Sequence, residues 1–272
     1  MRAALDQGFA VSVEVVPPKG PDPEALLERL AVLQGLDFWG FSVATNPVAK
    51  PRMSALAFCR RLTEASGRPA ILHATTRDHN RLSLQSLLWG ARALGIGSLL
   101  AASGDFVALP DRSSTTTVRD IDVLELVRLG RGCGLCTGVV IDPDPAKGGL
   151  QRAAQRLLDK VAAGAQFAVT QPVYDEPGAD ALAAAVAGCG VPVVLGILPL
   201  RTPRHAEFLH AKVAGIAVPE AVRGAMQQAA DPVAAGVANA RRMLALARQR
   251  FAGACLMPPF DHFEVLARVL AG

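Results

Sequence analysis

Apolar residues along this chain come in short unbroken runs, separated by longer stretches of helical period. The runs are Val11–Val16, Phe38–Val43, Ala70–Ala74, Ser98–Ala102, Leu135–Ile141, Phe167–Thr170, Val193–Leu198 and Ala254–Met257. Their length and their Val and Ile content predict strands buried on both faces. Between them, apolar positions recur three and four residues apart in Glu24–Leu33, Ser54–Ala65, Leu82–Leu94, Val123–Leu129, Leu150–Ala163 and Ala179–Ala187. That period predicts amphipathic helices. A longer helical region, His205–Arg250, breaks near Gly215–Pro219 and Asp231–Pro232.

Strands alternating with helices predict a parallel sheet, because each return to the same end needs a crossover. Eight such units in 272 residues predict a (β/α)8 TIM barrel, one domain over residues 1–272. The competing fold is an open, doubly wound sheet. It would want a glycine-rich phosphate turn after an early strand, and Val16-Pro-Pro-Lys-Gly20 is not one.

Composition narrows the setting. Hydrophobic residues make up 51%, yet no run is long and uncharged enough to span a bilayer. The first residues lack a basic start followed by an apolar core, so a cytoplasmic protein without a membrane partner is expected. The net charge of +4 is spread along the helices rather than massed, which argues against nucleic acid and suits a small anionic ligand. Five cysteines, an odd count, are expected to be reduced thiols. Cys133 and Cys136 have CxxC spacing, but no second pair or nearby histidine completes a metal set, so no metal is expected.

In a barrel of this kind, chemistry gathers where the strands end. The first predicted strand carries Glu14 near its end, and the second runs into Thr45. The third carries His73, the fourth runs into Ser103, Gly104 and Asp105, the fifth into Asp142, and the sixth into Gln171 and Tyr174. Each has an ordinary explanation: a paired carboxylate, a satisfied core histidine, a capping aspartate, an amide tying a loop. Together they would put carboxylates, an imidazole and an amide around one cavity, where a polar ligand would supply their partners.

The same stretches carry a resemblance. "VSVEVVPPKG" (11–20), "ILHATTRDHNRLSLQSLLWGARALGIGSLLAASGD" (71–105), "DKVAAGAQFAVTQPVYD" (159–175) and "GILPLRTPRHAEFLHAKVAGIAVPE" (196–220) follow one another as the motifs of the methylenetetrahydrofolate reductase family do. The likeness is greatest to the reductase domain that some bacteria fuse to a homocysteine methyltransferase, here standing alone.

The resemblance implies a barrel that binds FAD and reduces 5,10-methylenetetrahydrofolate to 5-methyltetrahydrofolate, in methionine biosynthesis, with NADH or NADPH as hydride source; the reaction also runs in reverse. It implies that Glu14 is the general acid, that Asp105 lies between flavin and pterin, and that Gln171, with Tyr174 nearby, contacts the folate. Thr45, His73, Ser103, Gly104, Asp105, Asp142 and Lys160 would hold the flavin. The chain departs from the family where many members place aromatic residues near the flavin. Those regions read Val118-Arg119-Asp120 and Ile141-Asp142-Pro143, and Tyr174 is the single tyrosine.

Two other readings compete. One is a folate-binding accessory subunit of a one-carbon complex, acting as a homo-oligomer or with a partner subunit and binding flavin weakly or not at all. The other is a barrel methyltransferase that uses methyltetrahydrofolate without flavin, which the Lys160 and His73 matches disfavour.

Overall fold

Eight strands close into a barrel in chain order in the computed structural model, every neighbouring pair parallel. The strands are β1 (Ala10–Val15), β2 (Gly40–Val43), β3 (Ala70–Thr75), β4 (Ser98–Ala102), β5 (Cys136–Ile141), β6 (Phe167–Pro172), β7 (Val193–Ile197) and β8 (Gly253–Leu256). The fold is a single-domain (β/α)8 barrel, as the run-and-helix pattern predicts. The structure describes residues 1–107, 111, 113–213 and 215–272.

The helices among the described residues are α1 (Arg2–Gln7), α2 (Glu24–Leu30), α3 (Ala55–Ser66), α4 (Arg81–Ala93), α5 (Val123–Gly132), α6 (Gly149–Ala162), α7 (Glu176–Val186), α8 (Pro203–Lys212), α9 (Glu220–Gln228), α10 (Pro232–Arg250) and α11 (Phe263–Leu270). Several begin where a short polar side chain accepts a hydrogen bond from the first turn: Ser54, Asn80, Asp122, Asp175, Thr202 and Asp231. Such caps satisfy backbone donors that the helix leaves free. The predicted breaks near Gly215–Pro219 and Asp231–Pro232 separate α8, α9 and α10.

Outward-facing strand residues such as Val13, Val15, Val43, Leu72, Leu99, Val139 and Leu195 form one core with Phe58, Leu62, Leu84, Leu88, Leu126 and Leu157 of the helices. A second apolar cluster, with Ile71, Leu100, Phe167, Val169 and Val194, fills the barrel interior. α1 joins this inner cluster through Met1 and Leu5, and the Met1 amino group donates to Ser98 Oγ at 3.2 Å. Because Ser98 opens β4, α1 plugs the end of the barrel where the strands begin and leaves the opposite mouth for ligands. No helix among the described residues is long and apolar enough to cross a membrane. All five cysteines are free thiols.

Candidate active site

Alternation along a strand sends one face into the barrel. The inner positions of β1, β2, β3 and β8 carry an unusual amount of polarity. Ser42 Oγ lies 2.7 Å from His73 Nε2. Cys255 of β8 is in register with Ser12 of β1. His73, Ser42, Cys255 and Ser12 therefore bring small polar groups from four strands into the interior. Burial holds His73 down at about 4, so the imidazole is neutral at physiological pH. Burial, then the charge of Glu14, pushes the Cys255 thiol up to about 12, so it too is neutral.

Glu14 sits at the mouth end of β1, in register with Ser42. It makes no hydrogen bond and no ion pair among the described residues. Desolvation alone raises its carboxyl from 4.5 to about 7. Such a group is protonated in part near neutral pH and has its proton to give.

Asp105 approaches from the β4 end. Its carboxylate accepts from the Val48 amide at 2.6 Å, which ties the β4 loop to the β2 loop. Behind this contact lies Arg77, just past β3 and fully buried. Its Nε and Nη2 donate to the Asp78 carboxylate at 2.5 and 2.7 Å, Nη2 also to the Asn46 carbonyl, and Nη1 to the Asp105 carbonyl. Asn46 Nδ2 completes the set by donating to Asp78. One guanidinium thus pins three loops at the mouth. Gly104 is needed beside it: its φ is 79°, and a Cβ there would come within 3.0 Å of Thr75 and Arg77.

On the other side, Gln171 is aimed by a register shift between β6 and β7. Thr170 Oγ1 accepts from the Gly196 amide at 2.9 Å and donates to the Gln171 carbonyl. A Cβ at Gly196 would lie 2.5 Å from the Thr170 carbonyl, so only glycine admits this bulge. The Gln171 amide makes no hydrogen bond among the described residues. Asp142 and Gln171 flank the same backbone, since a Cβ on Gly215 would meet Asp142 at 2.6 Å and Gln171 at 3.7 Å.

Cations gather next to Asp142. Lys147 donates to its carboxylate at 2.6 Å, and Arg156 donates to its carbonyl. Lys160 donates to the Val140 carbonyl at 2.7 Å, and burial, then Arg156, lowers it to about 8. Thr45 and Ser103 lie on the β2 and β4 loops, Ser103 exposed. Tyr174 follows the end of β6. It is buried among Leu200, Ala206, Leu209 and Val218, and its hydroxyl has no hydrogen-bond partner among the described residues.

The donor set fits a flavin dinucleotide in its chemistry. Lys147, Arg156 and Lys160 offer positive charge for a pyrophosphate, and the Thr75 hydroxyl at the end of β3 is buried without a hydrogen-bond partner among the described residues. Phe106, 71% exposed on the loop after Asp105, offers an aromatic face, and Arg119 stacks over it at 4.7 Å. Arg119 reaches this place because Val118 and Arg119 hydrogen-bond back onto Arg77 and Thr76.

The sequence matches the profile of methylenetetrahydrofolate reductase over residues 1–249. The chain belongs to the methylenetetrahydrofolate reductase family. No curated protein sequence matches it. Among solved structures, it is similar to an uncharacterized protein from Clostridium thermocellum that binds two copies of 5-methyl-5,6,7,8-tetrahydrofolic acid. The identity is 14%, the TM-score 0.70, and the match covers 98% of this chain and 95% of that one. A phosphonopyruvate hydrolase matches at 18% identity and TM-score 0.53, over 91% and 85% of the two chains. The tryptophan synthase α-subunit of Pyrococcus furiosus matches at 12% identity and TM-score 0.52, over 92% and 87%. At these identities the likenesses speak to the barrel alone.

Membership in the family supports a folate-related oxidoreductase of one-carbon metabolism. Sequence reasoning did not single out Arg77, the interior residues Cys255 and Ser42, or Phe106. The first has a legible signal: "TTRD" places an arginine and an aspartate directly after a strand, where a buried loop clamp belongs. Cys255 and Ser42 come from the last strand and the second, and leave no local pattern.

Proposed function

We propose that this chain reduces 5,10-methylenetetrahydrofolate to 5-methyltetrahydrofolate with NADH or NADPH as hydride source, and that FAD serves it as cofactor. The observation that carries the proposal is Glu14, a carboxyl with no hydrogen-bond or ion-pair partner among the described residues, raised to about 7 at the mouth of a barrel of this family. A bound flavin would supply the hydride relay between nicotinamide and folate.

The chain's own residues do the rest. Glu14 gives its proton to N10 of the folate, so that the five-membered ring opens at the carbon to be reduced. In the reverse direction the same carboxylate takes the proton back. Asp105, fixed through Val48 and the Arg77 clamp, holds the pterin against the cofactor. Gln171, aimed by the β6 bulge, hydrogen-bonds the pterin edge. His73 stays neutral, and since Nε2 is engaged by Ser42, Nδ1 is the ring nitrogen left for the cofactor side of the mouth. When a flavin dinucleotide is bound, Lys147, Arg156 and Lys160 would hold its phosphates, and the Thr75 hydroxyl would be available to it.

The folate bound by the C. thermocellum protein supports the substrate class. It also supports a second reading, a folate-binding subunit that does not load flavin, which the sparse aromatic lining of this mouth favours. One preparation separates the two. Protein incubated with FAD and desalted is expected to keep a flavin band, to bleach with NADH or NADPH, and to recolour with methylenetetrahydrofolate. A protein that stays colourless while binding 5-methyltetrahydrofolate establishes the second reading instead. Glu14→Gln is expected to bleach at the wild-type rate and fail to recolour; equal loss of both half-reactions refutes the acid role.

A further inference from the structure

α4 stands on the outer wall of the barrel and buries only one side. Leu84, Leu88 and Ala91 are its buried residues. The opposite side carries Leu82, Ser86, Trp89 and Ala93 in one stripe, all exposed and none charged. Leu82 is 81% exposed and Trp89 64%. A lone exposed leucine needs no explanation. A tryptophan two turns along the same uncharged stripe is surface of the kind that interfaces bury.

Charge along this wall is divided by end. α5 lies beside α4: Gln85 Nε2 donates to Cys133 Sγ at 3.1 Å, and Arg81 pairs with Glu125 at 3.0 Å. Both helices run from the mouth toward the end where the strands begin. Asp120, Asp122 and Glu125 gather where the two helices start. Asp120 accepts from the Arg81 amide at 2.8 Å, and Asp122 caps α5. Arg81 answers Glu125, and Arg119 is stacked over Phe106, so this end keeps an acidic excess. Arg92, Arg128 and Arg131 lie toward the far end of the two helices, and none of them has an ion pair among the described residues.

A surface that is acidic at one end, basic at the other and apolar between is complementary to itself turned around. A two-fold axis crossing α4 near Ser86 sets the helices of two copies antiparallel. Leu82 of each copy then meets Trp89 of the other, because in such a contact residue i meets j and j meets i. Leu82 and Trp89 lie about 10 Å apart along the helix. The same turn brings Arg92 of one copy level with the Arg81–Glu125 end of the other, so base meets acid at both ends of the contact. A parallel arrangement would set acid on acid and base on base. We propose that α4 is a dimerisation face on which a second copy of this chain docks antiparallel, with Trp89 as its anchor. The charge pattern selects the second copy over other occupants. An unrelated partner has no need of a self-complementary surface, and an anionic bilayer would be repelled by the acidic end. The assignment stands independently of the folate reading above. One helix and its flank make a small interface, so the dimer is expected to dissociate at about micromolar concentration.

The experiment is sedimentation velocity of the full chain from about 0.5 to about 100 µM, a range that brackets such a dimer. Wild type is expected to pass from monomer to dimer across it. Trp89→Asp is expected to raise the dissociation constant at least about thirtyfold and, because Trp89 is exposed, to leave the melting curve unchanged. Arg92→Glu is expected to raise it about tenfold at low salt and by less at raised salt. Oxidation of single-cysteine variants reads the geometry. Ser86→Cys lies next to the axis and is expected to form a disulfide with its own mate. Ala93→Cys lies about 11 Å from the axis along α4, hence about 22 Å from its mate, and is expected to form none. Wild type oxidised in parallel accounts for the five native thiols. A chain that stays monomeric at about 100 µM overturns the proposal. So does a dimer that Trp89→Asp leaves intact, or one that crosslinks through Ala93→Cys and not through Ser86→Cys. Monomeric protein that pellets with phosphatidylcholine vesicles, and ceases to do so as Trp89→Asp, overturns it too and gives the face to a membrane surface instead.

Discussion

Replacing Glu14 by Gln should make the protein more stable while removing its proton donor. The carboxyl moves from 4.5 to about 7 on folding, which corresponds to about 3 kcal/mol against the charged form. The native state binds more protons than the unfolded chain between those values, so this contribution is present below pH 4.5 and lost as pH rises to 7. Glutamine resembles the protonated carboxyl in shape and cannot ionise. Its advantage should be a few tenths of a kcal/mol at pH 4.5 and about 3 kcal/mol at pH 8.5, a rise of about 5 °C in melting temperature for a chain of this size. Wild type alone will not show the trend. His73 falls from 6.5 to about 4 on folding, and its contribution runs the opposite way over nearly the same window. The comparison must therefore be Glu14→Gln minus wild type, by urea denaturation at both pH values. An advantage that is equal at the two pH values, or absent at pH 8.5, refutes the account of Glu14 as a desolvated, unpaired carboxyl.

The remaining predictions concern the scaffold of the mouth. His73→Gln should gain on wild type by about 2 kcal/mol as pH falls from 7.5 to 4.5, since a histidine held neutral loses stability as its unfolded form protonates; a difference independent of pH would show that His73 is not held neutral by folding. Arg77→Met should cost about 3–5 kcal/mol by leaving Asp78 without its buried partner, and Arg77→Lys should recover little because one ammonium cannot make the two bonds to Asp78. Denaturation curves and proteolysis after residues of the 46–52 loop would check this, and a wild-type curve for Arg77→Met would refute the clamp. Gly196→Ala should cost about 1–3 kcal/mol and weaken folate binding together, because the Cβ collides with the bulge that aims Gln171; destabilisation with unchanged folate affinity would separate Gln171 from the site.

The barrel was legible because its strands are buried on both faces. Continuous apolar runs such as Ala70–Ala74 and Val193–Leu198 stand out against helical spacing, and the structure places β3 and β7 there within one or two residues at each end. The two helices that sequence reading passed over have physical excuses. α1 buries Leu5 alone, too little for a period to show. α11 is only eight residues long and follows Pro258 and Pro259, so its apolar face of Phe263, Val265, Leu266 and Val269 reads as the tail of a loop. Tyr174 is a residue whose burial its neighbours in sequence do not announce. It follows Gln171 by three residues, but β6 ends at Pro172, and the chain then turns its ring into the cluster under α8 and α9.

The site divides along the same line. A residue was legible when its neighbours in sequence mark its element, as for Glu14, whose flanking Val13 and Val15 mark a buried strand although they face the core behind the sheet and not the barrel interior. It was not legible when its environment comes from the far side of the barrel. The chain of neighbours His73, Ser42, Cys255 and Ser12 comes from β3, β2, β8 and β1, and a linear reading sees four unremarkable small or polar residues. That chain bears on the acid directly. Its groups are all neutral at pH 7 and lie beneath Glu14, so none offers the charge that would pull the carboxyl back toward 4.5. A lysine or arginine at Ser42, the register partner of Glu14, would pair with it and lower it. The barrel would gain an ion pair and lose its proton donor, which is why the polarity of this interior must stay uncharged for Glu14 to act as an acid.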